Sequence, residues 1–293
     1  MMRNLFHLLH HIMKHPLNER SRSKALGRFM RWQLATRLLP GAYVVPFVDG
    51  TTLTMERGMT GATGNWYCGL HEAEDMAFVL HTLRPDDLFV DVGANVGSYT
   101  VLASGAVGAR SIAFEPTPST FDKLMRNISV NKISDRVEAY NMGAGAREET
   151  LQFTAKKDTT NHVITGTTHE ETIEIQAIRV DDILTNTPRI IKIDVEGWEQ
   201  QVLLGMPKTL ADPELVAVIA ESNDSAGRNF GAQRDSVTEI MADNGFSASS
   251  YDPLKRQLLK GGTAHNTIWL RNISFVEERT LQAPTFKLVN RFI

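Results

Sequence analysis

Leu88-Phe89-Val90-Asp91-Val92-Gly93-Ala94-Asn95-Val96-Gly97-Ser98-Tyr99-Thr100 decides the fold. Leu88–Val92, apolar and partly β-branched, reads as a buried strand bounded by a glycine. Gly93 to Gly97 form a turn, and Ser98 opens a helical pattern whose first N–H groups face that turn. Gly93 lets a ligand approach the backbone closely, and Gly97 permits tight packing of helix on strand. Units of this kind serve two main classes of cofactor. Dinucleotide enzymes carry G-x-G-x-x-G, whose second glycine admits a pyrophosphate; here that position is Asn95. The spacing is instead D-x-G-x-x-x-G. An acid at Asp91 repels a pyrophosphate and suits a cationic sulfonium with an amino-acid tail. Ala94, Asn95, Ser98 and Tyr99 complete the candidate binding loop, and a structural turn without ligand is the competing reading.

Outward from this unit, strands alternate with amphipathic helices. Strands are expected at Leu88–Val92, Ser111–Glu115, Val137–Asn141, Ile190–Asp194 and Leu215–Glu221, and helices at Ser98–Ala106, Ser119–Asn131, Glu199–Met206 and Ala232–Asn244. That alternation implies α/β architecture, a doubly wound parallel sheet covered on both faces. Ser247–Tyr251 and Thr267–Arg271 are expected to add an antiparallel edge. Leu151–Asp182 reads as an inserted β-ribbon with a polar tip, Lys156–Glu171.

Before the unit, Tyr43–Met55 reads as a hairpin about Asp49-Gly50, Gly58–Gly69 as a flexible stretch, and His71–Leu83 as a helix. Residues 1–40 read as two helices. Leu5, Leu8, Leu9, Ile12 and Met13 recur at helical spacing in the first, and Leu26, Met30, Leu34 and Leu38 in the second. These forty residues hold eight Lys/Arg against one acid, so the rest of the chain sums to -10 within a total of -3. A hairpin packed on the main domain is the favoured reading. A membrane-surface or partner-binding element is the other, and a homo-oligomer is compatible with the sequence.

The overall charge gives no reason to expect nucleic acid as partner. The single cysteine, Cys68, excludes an internal disulfide and fits a reducing compartment. With no membrane-length apolar run and no signal-peptide pattern, a cytoplasmic protein is expected. His162, His169 and His265 lack ligand spacing, and no metal site is expected.

Glu115 comes 24 residues after Asp91, followed by Pro116. An acid at the tip of the second strand can take both hydroxyls of a ribose; a helix-capping acid is the alternative. On the fourth strand, alternation places Lys192, Asp194 and Glu196 on one side. Three ionisable groups on a buried strand are costly unless they pair or act. The bland reading is a Lys192 ion pair that fixes the loop.

The phrases Asp91–Gly97, Phe114-Glu115-Pro116 and Ile191-Lys192-Ile193-Asp194-Val195-Glu196-Gly197-Trp198-Glu199 resemble the FkbM family of methyltransferases, in matching order over roughly residues 70–225. The resemblance implies a seven-stranded methyltransferase sheet, S-adenosyl-L-methionine as donor, and a hydroxyl acceptor on a sugar, glycolipid or polyketide-like molecule. Residues 1–60 then form an N-terminal helical extension and hairpin, and 61–293 the cofactor-binding domain. Asp194 is the first candidate for general base or for clamp on the methionine ammonium, followed by Glu196 and by Lys192, which could steady a developing alkoxide. Asn141, Met142 and Gly143 are expected beside the adenine, and Tyr67, His71 and Glu72 in a lid over the cofactor, with an ordinary first-turn helix acid as the alternative for Glu72. Glu221 and Asn223 are further candidates for acceptor contact. A non-catalytic cofactor-binding scaffold and an NAD(P)-dependent oxidoreductase are the alternatives.

Overall fold

A computed structural model describes residues 2–154, 163, 171–221, 234–262 and 266–293. Two helices, α1 (Met2–Lys14) and α2 (Arg22–Leu38), lead into the hairpin β1 (Tyr43–Pro46) and β2 (Thr52–Met55). Asp49 and Gly50 turn it with φ of 44° and 85°, the positive pair that matches strand twist in a two-residue hairpin. Helices α3 (Thr60–Cys68) and α4 (Ala73–Thr82) follow.

The doubly wound unit begins with β3 (Leu88–Val92) and α5 (Ser98–Val101), which runs on as a π-helical turn, Leu102–Val107. It continues through β4 (Arg110–Phe114), α6 (Pro118–Val130) and β5 (Val137–Tyr140). The inserted ribbon consists of β6 (Gly143–Ala144), β7 (Glu149–Thr154) and β8 (Thr172–Ile178), with β8 between the other two. Its expected tip lies outside the described residues except for Val163, which bridges Phe153, and Glu171. Then come β9 (Ile190–Ile193), β10 (Ala217–Glu221), β11 (Ser247–Asp252), β12 (Gln257–Lys260) and β13 (Asn266–Leu270).

Among the described residues the main sheet runs β12-β11-β13-β10-β9-β3-β4-β5. The five strands from β10 to β5 are mutually parallel, and β13 runs antiparallel to both β10 and β11. This is the expected α/β sheet with its antiparallel edge. A further short strand, β12, pairs with β11 at the rim. Chain order reverses between β3 and β9, where Asp91 lies opposite Lys192. In such sheets ligands bind beyond the carboxyl ends of the strands at that point.

Two expectations for the first seventy residues are corrected. The stretch 58–69 is not a flexible loop. It holds α3, whose Ala62, Asn65, Tyr67 and Cys68 are buried, so packing overrides the low helix propensity of its glycines and threonines. In α2 the apolar stripe Leu26, Met30, Leu34, Leu38 does not face the core, being 39%, 60%, 61% and 68% exposed. The opposite side, Ala25, Phe29 and Trp32, joins the same apolar cluster as Phe89 of β3. Arg28 is buried there and donates to the Tyr67 carbonyl at 2.6 Å and the Asn18 side chain at 3.3 Å. A distant residue closes this region: Asn290 Nδ2 donates to the carbonyls of Leu17 at 3.0 Å and Cys68 at 2.7 Å.

Candidate active site

β3 leaves the sheet at Gly93, with φ of 78°. A Cβ there would lie 1.9 Å from the Asp194 carbonyl oxygen, so only glycine lets the exits of β3 and β9 pass side by side. The N–H groups of the turn are all spent within the protein. Gly93 and Ala94 both donate to the Phe114 carbonyl at 2.9 Å, and Gly97 donates to Ala94 at 2.8 Å. The Asn95 N–H donates to Glu115 at 3.0 Å, and the Val96 N–H to the Asn95 side chain at 2.7 Å. Asn95 sits at φ of 51°, a left-handed conformation that asparagine tolerates. A phosphate cradle needs free N–H groups pointing outward, and this turn has none to give.

Glu115 follows β4 and is 6% exposed. Burial pushes its carboxyl up to about 7, against hydrogen bonds from Thr117 and Asn95 that favour the charged form. Each oxygen accepts one backbone N–H, Asn95 on one and Thr117 at 2.9 Å on the other. Each therefore keeps acceptor capacity for a hydroxyl. The capping alternative is realised only in part, through Thr117, which precedes α6.

Around β9 the charges form one network. Lys192 is 1% exposed, and its ammonium reaches Asp194 at 3.0 Å and lies 5.1 Å from the centre of the Tyr99 ring. Burial disfavours this charge, but Asp194, Glu72 and Asp75 outweigh it and move the ammonium upward in pKa. Asp91 is buried beneath the turn, accepts the Thr100 hydroxyl at 2.6 Å, and is pushed up to about 6 by burial. Asp75, unforeseen from sequence, is pushed up to about 7 by burial and by Glu72, while Asn266 donates to it at 2.7 Å. Glu72 accepts from Tyr99 at 2.9 Å and from Asn266 at 3.0 Å. It precedes α4 without capping it.

Glu72, Asp91, Tyr99, Glu115, Lys192 and Asp194 border one cavity of about 240 Å³. Its wall includes Gly93, Ala94, Asn95, Ser98, Tyr99, Asp91, Glu115, Pro116, Gly143, Glu72, Lys192, Asp194 and Glu196 from the expected set. Gly97 stands behind the wall, where a Cβ would meet Leu124 at 2.5 Å. Asn141 is also outside it. Its amide donates to the carbonyls of Glu115 at 2.9 Å and Pro116 at 3.1 Å, so it pins the β4 exit. Glu196 turns at φ of 52° beyond the end of β9, leaving the strand that was to align it with Lys192. Thr117 and Trp198 were missed as wall residues, and Leu151, Phe153 and Ile175 of the ribbon make an apolar side. Asn223, His162, His169, His265 and the side chain of Glu221 lie outside the described residues.

Among the described residues, five carboxyl groups (Glu72, Asp91, Glu115, Asp194, Glu196) thus face this cavity against one ammonium, Lys192. The cavity can hold a cation and accept from hydroxyls. A family model described as the methyltransferase FkbM domain matches residues 91–248. The chain belongs to the FkbM methyltransferase family. It is 29% identical over 151 residues to the hexuronic acid methyltransferase AglP of Haloferax volcanii, covering 50% of this chain and 61% of that protein. It is 28% identical over 219 residues to the 31-O-demethyl-FK506 methyltransferase FkbM of Streptomyces tacrolimicus, covering 61% and 81%. Among solved structures, the methyltransferase FkbM from Methylobacillus flagellatus aligns at 17% identity with a TM-score of 0.46, covering 72% of this chain and 52% of that one. The chain matches less than two thirds of the length of AglP.

For this FkbM-family chain, Lys192→Met is expected to destabilise the fold by about 3–5 kcal/mol at pH 8, because it leaves buried carboxylates unpaired. Burial pushes the Asp91 carboxyl up to about 6 and the Asp75 carboxyl up to about 7, above the ordinary carboxylate range. Their charge cost therefore grows as pH rises through those values and is absent well below them. Urea unfolding at pH 5 and pH 8 checks this. A loss no larger at pH 8 than at pH 5 would mean that Lys192 acts through packing alone.

Proposed function

We propose that this protein transfers a methyl group from S-adenosyl-L-methionine to a hydroxyl of a small molecule, a sugar, glycolipid or polyketide-like compound. The observation that carries the reading is the surplus of carboxyl groups beside a glycine turn with no N–H left for phosphate. That combination suits a cationic donor and disfavours a dinucleotide, which counts against an NAD(P)-dependent oxidoreductase. When bound, the donor supplies an electrophilic methyl group on a sulfonium. Glu115 would accept the ribose hydroxyls, Glu72 would hold the ammonium, and the ribbon's apolar side would exclude water. The names of AglP and the Streptomyces protein, a hexuronic acid and a polyketide methyltransferase, support a hydroxyl acceptor. A non-catalytic scaffold is the alternative, and turnover with any acceptor removes it.

Asp194, at the sheet's reversal point and 39% exposed, would take the proton of the acceptor hydroxyl, with Lys192 holding one carboxylate oxygen at 3.0 Å. Glu196, on the same wall, would orient the acceptor. Methyl transfer asks for in-line placement and a base, both within reach of such a wall.

Part of this proposal is the place where the acceptor is met, an anionic membrane surface. No helix among the described residues is long and apolar enough to cross a membrane. The stripe Leu26, Met30, Leu34, Leu38 is exposed, with Lys24, Arg31 and Arg37 exposed on the same helix. Apolar side chains edged by cations suit the boundary between headgroups and acyl chains of an anionic bilayer.

Three measurements test the reading. Calorimetry with S-adenosylhomocysteine should show affinity falling as pH drops below about 7, where free Glu115 takes up a proton. Glu115→Gln should weaken binding by about 1.5–3 kcal/mol and flatten that pH dependence; unchanged affinity and profile would remove Glu115 from the cofactor. Asp194→Asn should slow single turnover by about 10²–10⁴ with affinity kept, whereas a pure affinity loss would reassign it to the ammonium. In flotation, the protein should rise with phosphatidylglycerol vesicles but not phosphatidylcholine, and Leu34→Glu with Leu38→Glu should abolish this. No flotation, or a dimer that buries the stripe, would overturn the membrane contact.

A further inference from the structure

A second cluster of chemistry-bearing side chains lies where α1 meets α3, away from the carboxylates of the main cavity. His11 and His15 occupy successive turns, linked by the His15 N–H donating to the His11 carbonyl at 2.9 Å. Both imidazoles therefore project from one face, with ring centres 5.5 Å apart. Cys68 closes α3 and is fully buried, and one nitrogen from each histidine and the Cys68 sulfur lie within 4.8 Å of one another. Their sequence separation hid this grouping, because α1 and α3 meet only in the folded chain.

Two further observations bear on what the cluster holds. His15 is 5% exposed; its Nε2 meets the His71 carbonyl at 3.2 Å, while its Nδ1 is buried with no hydrogen-bond partner among the described residues. The His71 Nδ1 is likewise buried and unpartnered among them, and the His71 ring lies 5.5 Å from that of His11. Leaving buried imidazole nitrogen unsatisfied is unfavourable, and each such atom in a native fold calls for a missing partner. Room for one is present: His11, Cys68 and His71 border a cavity of about 190 Å³ that also touches Tyr67 and Trp32. The fold even makes space for the third imidazole, since a Cβ on Gly64 would lie 2.3 Å from the His71 Nδ1.

We propose that His11, His15 and Cys68 bind a zinc ion. Two imidazoles and one thiolate are a borderline-soft donor set, which suits zinc rather than the hard cations calcium and magnesium. Three protein ligands would leave one tetrahedral position for water or the His71 imidazole. On binding, the Cys68 S–H gives its proton to solvent as the sulfur–zinc bond forms, and the imidazoles coordinate as neutral groups. Burial already keeps His15 neutral, with its pKa lowered to about 4. Burial pushes the Cys68 thiol up to about 12 despite the nearby Arg28 guanidinium, so the thiolate forms only as the metal binds. The ion would clip α1 to α3, and through the His71-Glu72 dipeptide to the edge of the main cavity. It has no part in methyl transfer.

The test uses the full chain stripped of metal, titrated with Zn²⁺ in a calorimeter and with Co²⁺ in a spectrophotometer. One zinc per chain is expected, and the cobalt adduct should show a thiolate-to-cobalt charge-transfer band. Cys68→Ser should lose the band, and His11→Ala should weaken zinc at least tenfold; His11 is exposed, so that variant keeps the fold if the buried one does not. His10→Ala, exposed on the same helix, should change neither readout. Substoichiometric zinc, a cobalt adduct without a sulfur band, or zinc affinity unchanged in His11→Ala would overturn the site. Binding of copper(I) with no zinc uptake would overturn the choice of metal.

Discussion

An ammonium buried in the middle of a parallel sheet constrains everything around it. Taking the Lys192 charge out of water costs several kcal/mol, and only nearby carboxylates can return that energy. They come from three parts of the chain: Asp91 on β3, Asp194 past the end of β9, and Glu72 with Asp75 at the start of α4. Tyr99 and Asn266 then hold Glu72, which fixes α4 over the strand ends. The acids outnumber the cation they serve, and the remainder is the field offered to a ligand. Stability and recognition use the same groups here, so neither can change alone.

How much of this was legible depends on the range of the deciding interaction. Strand and helix periods are local, and β3, β4, β5, β9 and β10 fall within a few residues of expectation. Glu115 was legible for the same reason, as an acid at a strand tip. What failed depended on partners far away in sequence. Helix α3, with Thr60, Gly61, Thr63 and Gly64, forms because its buried side packs on the N-terminal helices and its Gly64 admits His71. The stripe of α2 has perfect helical spacing, yet spacing cannot say which side of a helix meets the core. Phe29 and Trp32 took that side through bulk. Asn141 was correctly placed at a strand end, but its amide is occupied with backbone carbonyls, which no pattern announces.

The glycine turn shows how one backbone shape can serve two chemistries. With glycine at its third position, a turn of this kind can leave its N–H groups for a pyrophosphate. Asn95 instead uses its side chain to satisfy Val96 and its own N–H to hold Glu115. The carboxylate that would face the ribose is thereby tied to the turn beneath it. Glu115 is held on both sides, by Asn95 and Thr117, and its position is set before any ligand arrives.

The Asn290 amide joins residues 273 and 222 positions apart from it in the chain, at Leu17 and Cys68. During synthesis, α1 and α2 emerge long before the group that latches them. Their docking can begin on α3 but cannot be completed until residue 290 exists. Contacts of such long separation form late because chain entropy must be lost before they give anything back. Helices α1 and α2 therefore spend the interval incompletely fastened, with apolar surface exposed. Chaperone dependence and early proteolysis should concentrate at this first segment rather than in the sheet.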